Sequence, residues 1–317
     1  MIEMNLKTII TSTLVATFLV TPAFAHEIQY ESCGVPIDIK EVPSRAITLN
    51  QQATEVMLAL GLEDLMGATA YLEDEILPQW QEAYNKVPVI AEKYPAKEVV
   101  LIEEPDFLFA GFASAFAEKN VGTQQEWNER GVATYLVDAS CDQYNPKNVP
   151  VTTAPILKDI EVIGKIFDVE DRAASLIEET KARIEKVQTL NPGAGRTAFF
   201  YDSDDDPVYT AGCCGGPALL MRILGLNSIT EDIEGRWVNV GWEHVVQHDP
   251  ELIVINDAVW STAAEKIEKL KNDPVLSDLD AVKNERFLII PFSQTVLGMR
   301  FTDGVENLAQ QIAGLDQ

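Results

Sequence analysis

His244 and His248 stand four residues apart, a spacing that puts both imidazoles on one helical face where a transition metal can use them. Two ligands are too few for a metal centre, and the one further histidine, His26, has no evident nucleophile partner. No Gly-X-Ser-X-Gly elbow is present either, so an exported hydrolase is the weaker reading. The run Asp202-Ser203-Asp204-Asp205-Asp206 lacks the glycine and the terminal glutamate of a calcium loop and reads as a solvated acidic loop. In Tyr209-Thr210-Ala211-Gly212-Cys213-Cys214-Gly215-Gly216-Pro217 the glycines suit a close approach of ligand to backbone. The expected helix Ala218–Leu224 then opens with amides that can receive an anion. No Gly-Lys-Ser/Thr follows, so this is not a nucleotide-phosphate loop. For Cys213 and Cys214 a vicinal disulfide is favoured; two reduced thiols or ligation of a soft metal are the alternatives. These residue types suit binding better than catalysis.

Two segments read as copies of each other. Lys97–Phe109 is echoed by Trp242–Val254: Glu98 precedes Pro105 by seven residues as Glu243 precedes Pro250, an apolar helical turn lies between, and an acidic residue and an apolar strand follow. The repeat implies two similar lobes, each carrying one acidic helix at an equivalent place.

The elements that must position these residues alternate along the chain. Strand-like Ala46–Leu49 leads to helix-like Thr54–Leu60, Leu65–Ala68 to a helix over Glu75–Tyr84, and Val87–Ile90 to Lys97–Glu103. Phe107–Ala110 then precedes a helix over Thr123–Arg130, and Ala133–Val137 closes the series. Such alternation predicts an α/β fold with a parallel-type sheet flanked by helices. Two longer helices are expected over Thr152–Phe167 and Asp171–Leu190, with Asp171 as N-cap and Asn191-Pro192-Gly193 as stop. The second would span about 30 Å, enough to bridge two lobes, although an ordinary surface helix of one lobe has the same signature. A second alternating series runs from Thr197 to Pro291 and ends in a helix over Val305–Ala313. The expected division is a signal peptide over 1–25, a first lobe over 26–150, a helical segment over 151–190 and a second lobe over 191–317.

Lys7, the apolar run from Ile9 to Val20 and the small-residue site Ala23-Phe24-Ala25 make a secretory signal peptide cleaved after Ala25. The run is shorter than the roughly 20 residues a membrane span requires. The formal net charge of -26 argues against nucleic acid as a partner, since a polyanion would be repelled, and is that of a solvated acidic surface. The four cysteines allow three pairings. Cys33 with Cys141 is favoured because both fall within the first lobe, where a bond would staple the mature N-terminus to the last strand.

Taken in order, Arg45-Ala46-Ile47-Thr48-Leu49-Asn50, Ala53-Thr54-Glu55, Leu58-Ala59-Leu60-Gly61-Leu62, both repeat segments and Asp273-Pro274-Val275-Leu276 resemble class III (cluster A) substrate-binding proteins of ABC importers. That group captures cobalamin, haem and ferric siderophores, and the resemblance covers essentially the whole mature chain. The Cys33 and Cys141 positions, Gly241-Trp242-Glu243 and Asp257–Ala264 are closest to a subgroup labelled as importing a deazaflavin-cofactor precursor. The resemblance implies two Rossmann-like lobes joined by one long rigid helix. It implies a periplasmic, monomeric binding protein without enzymatic activity or intrinsic cofactor, whose small ligand is of a kind that can itself carry iron or cobalt. Glu98 and Glu243 match positions that dock onto a permease dimer. Strand-end loops facing the cleft then select Asn50, Gln51, Tyr71, Lys93, Phe112, Tyr201, Cys213, Arg236, Trp237, Trp260 and Arg300 as ligand-binding. Flat aromatic faces hold planar or chelated ligands, and the arginines pair with carboxylates or phosphates or bridge the lobes. A binding protein for a bare transition metal is the remaining alternative.

Overall fold

A computed structural model of the chain describes residues 28–203 and 207–315; the expected signal peptide and residues 204–206 of the acidic loop lie outside the described residues. The first described element is a hairpin, β1 (Ile28–Ser32) with β2 (Val35–Ile39), turning through Cys33 and Gly34. Both turn residues have positive φ, 53° and 81°, which matches the twist of a two-residue hairpin. The first lobe follows as β3 (Ala46–Leu49), α1 (Gln51–Ala59), β4 (Met66–Ala70), α2 (Gln81–Tyr84), β5 (Val89–Ala91), α3 (Lys97–Ile102), β6 (Phe107–Ala110), α4 (Gln124–Glu129) and β7 (Ala133–Leu136). Its five strands are parallel in the order β5-β4-β3-β6-β7. Strands β3, β6 and β7 are buried throughout, as apolar runs covered on both faces must be.

Two helices carry the chain across, α5 (Ala154–Ile166) and α6 (Glu170–Leu190). They approach closely where Gly164 meets Ala173; a Cβ on Gly164 would collide with that of Ala173. The second lobe contains β8 (Thr197–Tyr201), β9 (Val208–Ala211), α7 (Gly216–Leu224), β10 (Asn227–Ser228), β11 (Trp237–Val240), α8 (Trp242–His248), β12 (Leu252–Asp257), α9 (Ala263–Asn272), α10 (Asp280–Lys283), β13 (Phe287–Pro291) and α11 (Arg300–Leu315). Its parallel sheet runs β10-β8-β12-β13, while β9 and β11 form a separate antiparallel pair. One apolar cluster is continuous from Phe107 and Phe109 through Ile160, Ile163, Ile184 and Val187 to Leu220, Leu224 and Phe301. Among the described residues no helix is long and apolar enough to cross a membrane.

Two expected elements differ. The helix over Glu75–Tyr84 is a 3-10 turn at Pro78–Trp80 and the four-residue α2. Pro78 has no amide to donate, and the backbone before it turns towards the second lobe. Asp171 lies in the first turn of α6 and Val169 occupies the cap position, so the acidic residue favours the helix start through the macrodipole instead. The stop at Asn191 is as expected, in the left-handed region at φ 46°.

Cys33 and Cys141 are bonded, closing a loop across a sequence separation of 108. The bond ties the hairpin to the segment after β7. On α5, wholly buried Asp159 accepts 2.8 Å bonds from the Tyr135 hydroxyl and the Asp138 amide. Burial pushes its carboxyl from 3.8 up to about 8. Burial likewise raises Glu73 to about 7, against the bonds it accepts from the Gln51 amide and Asn50.

Replacing Cys33 and Cys141 together by serine is expected to cost roughly 2–4 kcal/mol in denaturant unfolding, because the unfolded chain regains the freedom of a long loop. The raised carboxyls set the pH dependence. A buried acid that keeps its proton in the fold but loses it on unfolding makes stability fall as pH rises from its ordinary value to its folded one. Calorimetry should therefore give a higher Tm at pH 5 than at pH 8. Asp159→Asn, which keeps the accepting oxygen, should flatten that slope; an unaltered slope would refute the assignment.

Candidate functional site

The two lobes meet along a seam beyond the C-terminal ends of β3, β6 and β7. At one end of the seam the chain leaves β3 through Asn50, at φ 77°, and enters α1. Asn50 donates to Glu73 at 2.9 Å and accepts from the Tyr94 hydroxyl at 2.9 Å, while the Gln51 amide donates to Glu73 at 3.0 Å. Gln51 in turn donates to Glu55 at 2.6 Å. From the second lobe Arg300, at the start of α11 and 5 % exposed, pairs with Glu55 at 2.6 Å and donates to Ser293 and to the Glu75 carbonyl. The Ser293 amide reaches Asp74 at 2.9 Å. Burial raises the Glu55 carboxyl, and the Arg300 guanidinium opposes the shift. This end is a buried latch between lobes.

A cavity of about 380 Å³ opens further along the seam. Gln52, Phe112 and Lys147 contribute from the first lobe and the segment after it, and Tyr209, Arg236, Trp237 and Gly215-Gly216 from the second. Strand alternation turns Tyr209 to this side of β9 while Val208 and Thr210 are buried. Antiparallel pairing of β9 with β11 sets Trp237 beside it, and the two rings stack with centroids 5.6 Å apart and planes 16° from parallel. Gly216 must be glycine for a steric reason: a Cβ there would overlap the Thr295 carbonyl oxygen. Arg236 reaches Asp142 at 3.3 Å and donates to the Asn145 carbonyl, so this end is also bridged by an arginine. The cavity thus offers a flat aromatic wall, two cations and a helix start, which suits a flat anion.

Of the residues selected from sequence, Phe112, Arg236 and Trp237 line this cavity together. Asn50, Gln51 and Arg300 lie on the same seam but are engaged in the latch. Tyr71, at φ 58°, packs edge-on against Tyr94 at 4.7 Å, and Lys93 is exposed. Trp260 is 56 % exposed beyond β12 and meets Phe292 at 4.9 Å, outside the cavity lining. Tyr201 requires correction. Its strand position turns it into the second-lobe core at 0 % exposure, against Phe199 and Trp242. Cys213 is joined to Cys214, and its amide donates to the Ile233 carbonyl; the adjoining glycines, not Cys213, face the cavity. Gln52 belongs to the strand-end loop Asn50-Gln51-Gln52 that the sequence points to, whereas Tyr209 and Lys147 are not among the residues selected. Tyr209 was recoverable from alternation, whereas Lys147 lies in a loop with no periodic signal.

The sequence repeat is a structural repeat. Glu98 and Glu243 are exposed in the first turns of α3 and α8, each behind an extended cap residue, Ala96 or Gly241. Val100 and Val245 are each 0 % exposed, and Glu104 and Asp249 both end their helices in the left-handed region. The acids that follow the prolines act alike: Asp106 accepts from the Arg45 amide at 2.9 Å and Glu251 from the Thr197 amide at 3.0 Å, each fixing the start of the neighbouring strand. His244 is bound to the Ile229 carbonyl at 2.9 Å and His248 to the His244 carbonyl at 2.8 Å. Among the described residues no group of three or more His, Cys, Asp or Glu is placed to hold a metal ion.

Comparison with known proteins agrees with this geometry. Over 282 residues, 87 % of this chain and 82 % of the relative, the sequence is 26 % identical to the uncharacterized ABC transporter substrate-binding lipoprotein YvrC of Bacillus subtilis. It is 21 % identical over 235 residues to the vitamin B12-binding protein of Vibrio vulnificus, covering 72 % of this chain and 79 % of that one. The crystal structure of a periplasmic binding protein from Veillonella parvula superposes with a TM-score of 0.79 at 26 % identity, covering 92 % of this chain and 99 % of that one. The family described as periplasmic binding protein matches residues 47–293, which takes in nearly all of both parallel sheets and the bridging helices and stops short of Arg300 and α11, and the chain belongs to that family.

Proposed function

We propose that this chain is the solute-binding component of an ABC importer, trapping a compact, flat, anionic ligand between its lobes and delivering it to a permease dimer. The observation that carries the reading is the pair of equivalent helices, α3 and α8, each presenting an exposed glutamate. A partner made of two like subunits offers the same basic pocket twice, and a receptor with one carboxylate per lobe meets both. Such exposed charges orient the encounter more than they add affinity. The names of the relatives, an ABC transporter substrate-binding lipoprotein and a vitamin B12-binding protein, support the same class. On this reading the protein works in the periplasm as a monomer after cleavage behind Ala25.

The cavity bears on the cargo. At about 380 Å³ it falls in the lower part of the range of roughly 300–1,000 Å³ for small-molecule sites. The stacked Tyr209 and Trp237 favour a planar ring system, and Arg236 and Lys147 favour an anionic arm. These properties suit a flat cofactor precursor of the deazaflavin kind, the cargo named in the label of the subgroup that Gly241-Trp242-Glu243 and Asp257–Ala264 resemble. An iron chelate or corrinoid is the second reading, favoured by the vitamin B12-binding relative, and would require a wider opening of the seam.

Native mass spectrometry of protein purified from its own periplasm identifies the ligand. Trp237→Ala is expected to weaken its binding about tenfold or more, through loss of the stacking face; an unaffected Kd removes Trp237 from the site. Glu98→Ala with Glu243→Ala should reduce uptake by whole cells at least severalfold while leaving the solution Kd intact. Unchanged uptake would sink the docking assignment.

A further inference from the structure

The two cations that line the cavity, Arg236 and Lys147, are both held by one carboxylate of the protein itself, Asp142. Arg236, 18 % exposed, pairs with Asp142 at 3.3 Å, and Lys147 pairs with the same carboxylate at 3.1 Å. Asp142 keeps 55 % of its side-chain surface in solvent, so the pairing is weakly held and readily exchanged. The guanidinium is also incompletely used. It donates to the Asn145 carbonyl, while its contact with Asp142 is an ion pair at 3.3 Å, longer than the usual 2.7–2.9 Å or so of a charge-assisted hydrogen bond. Its Nε is buried and has no hydrogen-bond partner among the described residues. Across the cavity Gln52, 4 % exposed, has its Oε1 buried and likewise without a partner among them. Two cations and two residues with unmet polar atoms line a space walled by stacked rings, and the Asp142 carboxylate is paired with the cations.

We propose that Asp142 is a built-in competitor that sets the charge specificity of the cleft. This rests on the reading of the cleft as the ligand site. In the free protein Asp142 occupies Arg236 and Lys147; a flat ligand with a carboxylate, phosphate or sulfonate displaces it and pairs with the same two cations. The displaced carboxylate swings into solvent, where half of it already lies. An uncharged flat molecule stacks on Trp237 but cannot replace the ion pair, so it gains nothing from the exchange. Selectivity arises because the competitor must be outbid by an anion.

The test uses 8-anilinonaphthalene-1-sulfonate, a flat anion, and N-phenyl-1-naphthylamine, which has the same rings without the sulfonate. Both are titrated by fluorescence against the full-length mature protein. Asp142→Asn, an exposed and near-isosteric change, is expected to tighten the sulfonate by about threefold to tenfold and leave the uncharged probe unchanged. Arg236→Gln should remove that gain. An unchanged or weaker sulfonate affinity in Asp142→Asn overturns the competitor role. So does an equal change for both probes, which would make Asp142 a latch between lobes. A sulfonate affinity indifferent to Trp237→Ala overturns the reading of the cleft, and the competitor role with it.

Discussion

Helix α6 is held by an arginine towards each end, and the relation of the two lobes depends on those attachments. Arg172 donates to the Leu60 and Gly61 carbonyls at the end of α1, on the first lobe. About 16 Å further along the axis, Arg183 meets Asp303 at 2.6 Å and Glu306 on α11, on the second. These carboxylates push the guanidinium further up, and Arg183 holds Glu306 below the usual carboxylate range. Between the attachments Ala173 belongs to the apolar cluster that also contains Phe107 and Phe301, with Leu176 and Ile177 packed against it, and Ile184 and Val187 beyond Arg183 continue it. The bridge is therefore a packed part of both lobes, and large hinge opening would require separating buried apolar surface at about 25 cal/mol per Å².

The seam that this helix fixes is closed by two arginines with different surroundings. Arg300 and Glu55 are almost fully buried, with side-chain exposures of 6 % and 1 %, so losing one partner would strand the other's charge in a dry interior. Arg236 and Asp142 are partly wet, and exchange of one anion for another costs little there. One pair fixes the spacing of the lobes while the other leaves the cavity chemically responsive. The latch also explains why Asn50, Gln51 and Arg300, which face the seam by strand topology, are engaged with protein groups.

The sequence was legible where one element decided the outcome. The strand over Phe107–Ala110 and helix α4 follow from an apolar run and helical period, which are local signals, and the structure adds a Thr123 capping box at the start of α4. Cys33 and Cys141 were placed together by the first-lobe alternation, and they are bonded. The helix expected over Glu75–Tyr84 starts only at Pro78 because Asp74 and Glu75 supply acceptors to the opposite lobe, a demand no local window contains. Tyr201 was misassigned for a similar reason: the end of β8 lies where Trp242 of a later helix covers it.

Sequence alone determined the two-lobed α/β plan and the equivalence of Glu98 and Glu243, because both are written in repeated local patterns: apolar period, prolines and acids at fixed offsets. Only the tertiary structure decided which of the selected side chains share a cavity. Trp237 and Tyr209 meet through antiparallel pairing off the main sheet, and Asp142, Lys147 and Arg236 meet because a disulfide-anchored segment of one lobe lies against the other. Such contacts depend on the relative position of elements distant in sequence, which periodicity does not encode.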